Sequence, residues 1–124
     1  MDITIYSTPT CVQCESTYRA LLSAGVVDFE VIAVHNNPQA LEYIKTELGH
    51  QQAPVVMIGD NDGVAADHWA GFRPDRIREL VARLIEEGTS LVPLDRAEVK
   101  DKISAIKAQL VQPVALPQSA PVGA

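Results

Sequence analysis

A chain of 124 residues with 47% hydrophobic side chains has the length of one ordinary domain and enough apolar mass to bury a core without disulfide staples. Sixteen acidic against ten basic residues give a formal charge of −6, and with no run of Lys/Arg in the sequence to neutralise phosphates, nucleic acid is not an expected partner. No segment approaches the roughly 18 apolar residues of a membrane span, and Met1 to Tyr6 lacks a basic region leading into a long apolar run, so a soluble, cytoplasmic protein with no membrane partner is expected.

Ile3 to Tyr6 alternates and reads as a first strand. It leads into Pro9-Thr10-Cys11-Val12-Gln13-Cys14, which holds the chain's only two cysteines. A helix is predicted from about Cys11 to Ser23. Thr10 and Gln13 fit a capping box that puts Thr10 at N-cap and Cys11 at the first helical position. Cys14, Tyr18, Leu21 and Leu22 follow the i, i+4, i+7, i+8 spacing of one buried face, and Gly25 is a natural stop. Cys14 then points inward while Cys11 stays accessible.

That geometry suits disulfide exchange, in which one thiolate attacks a partner disulfide and a second resolves the mixed disulfide before the partner leaves. The unpaired N–H groups and positive potential of a helix N-terminus favour a thiolate at Cys11. Cys11 is therefore the candidate nucleophile and Cys14 the candidate resolver. A lone CxxC has other readings: half of a zinc site, an inert structural disulfide, or chance. Zinc wants four ligands, and His35, His50 and His68 are scattered, so no metal is expected. A disulfide across two residues closes a loop too small to add much stability. A strand-helix-strand context favours the redox reading.

Phe29 to Val34 reads as a second strand, and a second helix is predicted over Pro38 to Leu48, with Gly49 as its stop. Val55 to Ile58 is a short buried-type strand. A turn over residues 59–63 lets Val64 to Trp69 return antiparallel. A third helix starts at Pro74, keeps Ile77, Leu80, Val81, Leu84 and Ile85 on one face, and ends at Gly88.

The order β-α-β-α-β-β-α with CxxC directly after the first strand resembles the thioredoxin-like fold, giving an α/β class with a C-terminal helical extension. In that fold a cis proline precedes the third strand and faces the cysteines, and Pro54, after Ala53, is the candidate for it. More specifically, the chain resembles the NrdH-redoxins, glutaredoxin-like proteins with thioredoxin-like behaviour, over roughly residues 1–86. Cys11-Val12-Gln13-Cys14, Gln52-Ala53-Pro54-Val55-Val56 and His68-Trp69-Ala70-Gly71-Phe72-Arg73-Pro74-Asp75 carry the resemblance in the right order. It implies a dithiol-disulfide oxidoreductase that is reduced by thioredoxin reductase and donates electrons to the class Ib ribonucleotide reductase large subunit or to other protein disulfides. No bound cofactor is implied, since NADPH and flavin act through the reductase. Val12, Gln13, Ala53, Pro54, Trp69, Phe72 and Arg73 form the expected partner-binding surface. Two alternatives stand beside this reading, a glutathione-dependent glutaredoxin and a non-catalytic partner-binding module.

Where ordinary glutaredoxins resemble one another in a Gly-Gly-x-Asp type segment and basic residues for glutathione, this chain has Ala70-Gly71-Phe72-Arg73-Pro74, which suits a protein surface better than a small dianionic peptide. Trp69 and Phe72 can equally finish the core, and Arg73 can serve to fix its loop. The chain departs from the NrdH pattern at Thr8, where Lys is usual, at Ala70 and at His50. Without that ammonium the helix N-terminus is the chief identifiable source of thiolate stabilisation. His50 reads as a solvated loop residue rather than a catalytic one.

The redox domain is expected over residues 1–88, followed by a linker and amphipathic helix over 89–111. There Leu94, Asp95, Glu98 and Val99 fit a hydrophobic staple around a D-x-x-E cap, and Val99, Ile103, Ile106 and Leu110 form a stripe whose simplest cover is the domain itself. From Gln112 on, a Pro/Ala-rich tail should be extended or disordered.

Overall fold

The computed structural model describes residues 2–50, 52–59 and 65–110. The elements follow in the order β1 (Asp2–Ser7), α1 (Val12–Ser23), β2 (Glu30–Ala33), a 3-10 turn (Val34–Asn36), α2 (Pro38–Glu42) continuing as a π turn (Tyr43–Glu47), β3 (Val55–Gly59), β4 (Ala65–Ala70), α3 (Pro74–Glu86) and α4 (Arg96–Leu110). They build a four-stranded sheet in the order β2-β1-β3-β4. The α1 crossover makes β2 parallel to β1, whereas β3 and β4 run antiparallel to their neighbours. This is the thioredoxin-like arrangement expected from the element order.

Strand alternation divides the core into two layers. Ile3 and Ile5 of β1, Val56 and Ile58 of β3 and Trp69 of β4 face α1, α3 and α4. Tyr6, Val55, Met57 and Ala70, one step out of phase, face the α2 side with Val34, Leu41 and Ile44. The predicted turn at 60–63, Val64 and the tail from Gln112 lie outside the described residues.

Three helices differ from expectation in informative ways. α1 begins one residue later than the capping-box pattern implied, because Cys11 itself is the extended N-cap residue, with φ −119° and ψ 107°. The expected single helix over 38–48 changes pitch at Tyr43. There the Thr46 hydroxyl donates to the Glu42 carbonyl at 2.7 Å, a side-chain bond of the kind that competes with the helical ladder, and Leu48 N–H reaches back to Tyr43 O at 3.2 Å. In α3, Ile77, Leu80 and Leu84 are buried, but Ile85 is 58% exposed, since its position falls at the edge of the apolar stripe.

α4 realises its sequence pattern closely. Glu98 N–H donates to Asp95 Oδ1 at 2.8 Å and Asp95 N–H to Glu98 Oε1 at 3.3 Å, a reciprocal capping box. Val99, Ile103 and Leu110 are buried and Ile106 partly so, all within the α1-side core, and α4 packs on α1 and β2. The domain's own surface thus covers the stripe. The chain makes a further close approach at the entry to this extension, where Gly25, at φ +93°, sits against the backbone of Val92. Among the described residues no helix is long and apolar enough to cross a membrane.

Candidate active site

β1 ends on buried Ser7, and the loop through Thr8, Pro9 and Thr10 delivers Cys11 to the start of α1. Cys11 and Cys14 are joined in a disulfide with a Cα–Cα separation of 5.2 Å, comfortable for such a bridge. The two sulfurs have different surroundings. Cys14 is 1% exposed and lies in the core, whereas Cys11 is only partly buried. Cys11 Sγ accepts the backbone N–H of Cys14 at 3.1 Å, so the first turn of the helix directs a donor at the outer sulfur. The same N–H would stabilise a thiolate there once the bridge is reduced.

The opposite rim of the site comes from β3 and β4. The Ala53–Pro54 bond is cis, as the fold resemblance implied, and Pro54 O accepts Gly71 N–H at 2.8 Å. Gln13 does not reach back to cap α1. Instead its Oε1 accepts Phe72 N–H at 3.0 Å, a bond that links the CxxC turn to the loop after β4. Three segments distant in sequence, residues 11–14, 53–54 and 71–73, are thereby brought together.

The expected surface residues separate on this frame. Val12 is 79% exposed, Gln13 is exposed, and Ala53 and Phe72 are partly buried, with both apolar groups packed against the core. Pro54 is buried. Trp69 requires correction as a partner-binding residue: it is 5% exposed, because its position on β4 faces the helical layer, where Arg76 lies 5.2 Å above the ring. Trp69 can only shape the surface from beneath. Arg73 is exposed, and its Nε and Nη2 donate to the two Asp75 carboxylate oxygens at 3.1 and 2.9 Å. This bond holds the Asp75 carboxyl below the usual carboxylate range. The loop-fixing role for Arg73 is the one seen.

His50 makes its hydrogen bond to His68, Nε2 to Nδ1 at 2.8 Å, in an edge-on ring pair. Burial, and then the neighbouring His68, push the His50 imidazole below its ordinary value. It lies in the loop after the π turn and is only partly buried, as anticipated from sequence, with His68 on β4 as a polar partner that the sequence did not indicate.

Four residues of the site carry no motif. Glu15, Tyr18, Lys107 and Leu110 line the same cavity of about 390 Å³ as Cys11 and Cys14. Tyr18 donates its buried hydroxyl to Ser7 Oγ at 2.5 Å, and burial pushes its pKa further above neutrality. Glu15 pairs with Lys107 at 3.7 Å, so α4 supplies both apolar and cationic wall to the cysteine cleft. The apolar stripe of α4 was legible beforehand, but not the surface on which it docks.

Comparison with known proteins agrees with this geometry. A family model described as glutaredoxin matches residues 3–62. The glutaredoxin-like protein NrdH of Escherichia coli (strain K12) is 45% identical over 80 residues, which are 64% of this chain and 89% of that protein. The chain belongs to the NrdH family of glutaredoxin-like proteins. Its members are thiol-disulfide oxidoreductases, and this protein is one. A solved structure of the E. coli NrdH-redoxin, described as having a thioredoxin-like activity profile, superposes with a TM-score of 0.55 at 45% identity and covers 64% of this chain and 95% of that one. The gene 56 protein of Mycobacterium phage L5 is 30% identical over 79 residues, 64% of this chain and 71% of the phage protein. These matches leave over a third of the chain uncovered. The glutaredoxin model spans the cysteine pair and ends at residue 62, well before α4.

Proposed function

We propose that the protein is a cytoplasmic electron carrier, reduced by thioredoxin reductase, that donates to the large subunit of a class Ib ribonucleotide reductase or to other protein disulfides. Cys11 thiolate attacks one sulfur of the substrate disulfide, forming a mixed disulfide and releasing one substrate thiolate, which takes up a proton. Cys14, losing its proton, then attacks Cys11 Sγ. The mixed disulfide breaks, the Cys11–Cys14 bridge forms, and the second substrate thiol leaves. The substrate gains two electrons, and the dithiol loses two. NADPH returns them through the flavin of the reductase, so the protein needs no resident cofactor.

The observation that carries the roles is the asymmetry of the pair: an outer sulfur that receives a helix N-terminal N–H and an inner one that is 1% exposed. A buried thiol cannot meet a protein disulfide, but it can resolve one held on its neighbour. The preference for a protein reductant is supported by Arg73, whose guanidinium is taken by Asp75 and is not offered to the carboxylates of glutathione. Ala53, before the cis proline, gives an extended substrate segment backbone to pair with. Trapping tests these roles. Reduced Cys14→Ser should accumulate a mixed disulfide through Cys11 when given an oxidised protein substrate, readable by intact mass. Accumulation in Cys11→Ser instead would reverse the roles.

A further inference from the structure

The chain is acidic overall, yet α1 and α4 gather cations along one groove. Its walls, enclosing about 740 Å³, include Arg19 of α1 and Arg96, Lys100 and Lys107 of α4, four of the ten basic residues in the protein. Glu15 is the acidic side chain in that lining, and its carboxylate is already engaged by Arg19 at 3.5 Å and Lys107 at 3.7 Å. The groove therefore carries a clear positive excess within a chain of formal charge −6. Opposite charge on a docking segment is favoured there and disfavoured over the rest of the surface.

Position gives the groove a purpose. Glu15 and Lys107 also line the smaller cavity that holds Cys11 and Cys14, so the cationic groove runs into the redox cleft. Packing of α4 against α1 through buried Val99 and Ile103 fixes the spacing of the charges, while Arg19 and Lys107 remain 57% and 50% exposed. Residues 111–124 contain no Asp or Glu and do not complement the groove's charge.

We propose that the α1–α4 groove is a docking site for an acidic segment of the protein whose disulfide Cys11 attacks, a specificity element added to the NrdH-type site by α4. The segment would lie along Arg96, Lys100 and Arg19 and lead its disulfide past Lys107 to Cys11. This rests on the oxidoreductase reading only for what happens at the cysteines, since the groove can be tested without them.

The test is fluorescence anisotropy of a labelled, cysteine-free Glu-rich peptide and its Gln counterpart on the full-length oxidised protein. The Glu peptide should bind about tenfold or more tightly at low salt and lose that preference near 1 M salt, where charges are screened beyond roughly 3 Å. The double variant R96E/K100E, altered only at exposed side chains, should lose the Glu peptide and gain a Lys-rich one, a rescue that requires a folded groove. Equal binding of Glu and Gln peptides, or a preference that survives R96E/K100E, would overturn the proposal. Cys11→Ser separates the two readings, because it should abolish disulfide reduction while leaving the Glu-peptide preference in place. Loss of that preference in Cys11→Ser would show that the peptide reads the cysteine site rather than the groove.

Discussion

Gly25→Ala, at a buried position, should be among the more damaging loop substitutions in this protein, and the reason can be separated into two parts. Gly25 has φ +93°, and a Cβ placed on it would sit 2.7 Å from Val92 N and 2.8 Å from Val92 C and O. Gly88 has nearly the same φ, +88°, but a Cβ there would meet nothing within 4 Å. Both alanine variants incur the left-handed backbone cost of about 1 to 2 kcal/mol. Only Gly25→Ala must also displace backbone, at about 1 to 3 kcal/mol for overpacking. With a urea m-value of about 1.5 kcal/mol/M for a domain of this size, the two midpoints should differ by roughly 0.7 to 2 M. Because Val92 leads into α4, the Gly25 variant should also open α4 to proteolysis before the sheet unfolds. Equal losses for Gly25→Ala and Gly88→Ala would refute the steric argument and with it the close attachment of the extension.

Other expectations follow from single contacts. Gln13→Ala removes the acceptor of Phe72 N–H, costing about 0.5 to 1.5 kcal/mol, and should raise KM for a protein disulfide more than it lowers kcat; an unchanged KM would deny the loop its role in docking. Asp95→Ala removes the cap of α4 and should cost about 1 kcal/mol, measured by urea midpoint; no change would mean the capping box contributes nothing beyond α4 packing. His50 has a folded pKa below its ordinary value of 6.5, so the unfolded chain binds the proton more readily. The corresponding stability is complete above about pH 6.5 and is lost as pH falls through the lowered folded value. His50→Gln should flatten urea midpoints across that window, and an unchanged slope would assign it to other groups.

The sequence made some of this molecule legible because the information is local. Strand alternation, the α3 stripe and the D-x-x-E cap of α4 report on neighbours a few residues away, and each element appears within a residue or two of its expected place. The start of α1 was read one residue early because Thr10 and Gln13 satisfy the letters of a capping box, but Cys11 Sγ takes the Cys14 N–H and Gln13 turns to Phe72, 59 residues away. Trp69 was ambiguous between surface and core until the sheet register set its side. Lys107 could not be found at all by motif. Its place beside the cysteines depends on how α4 crosses α1, which follows from packing Val99, Ile103 and Leu110 into the domain and leaves no local mark in the sequence.

The most direct test of the functional account is NADPH oxidation with a protein disulfide as acceptor, comparing thioredoxin reductase with glutathione plus glutathione reductase, and using Cys11→Ser as control. The account predicts turnover with thioredoxin reductase, little with glutathione, and none in Cys11→Ser. Turnover with glutathione alone would make the protein a glutathione-dependent glutaredoxin and contradict the reading of Phe72 and Arg73, and silence with both systems would contradict the proposed electron-transfer role itself.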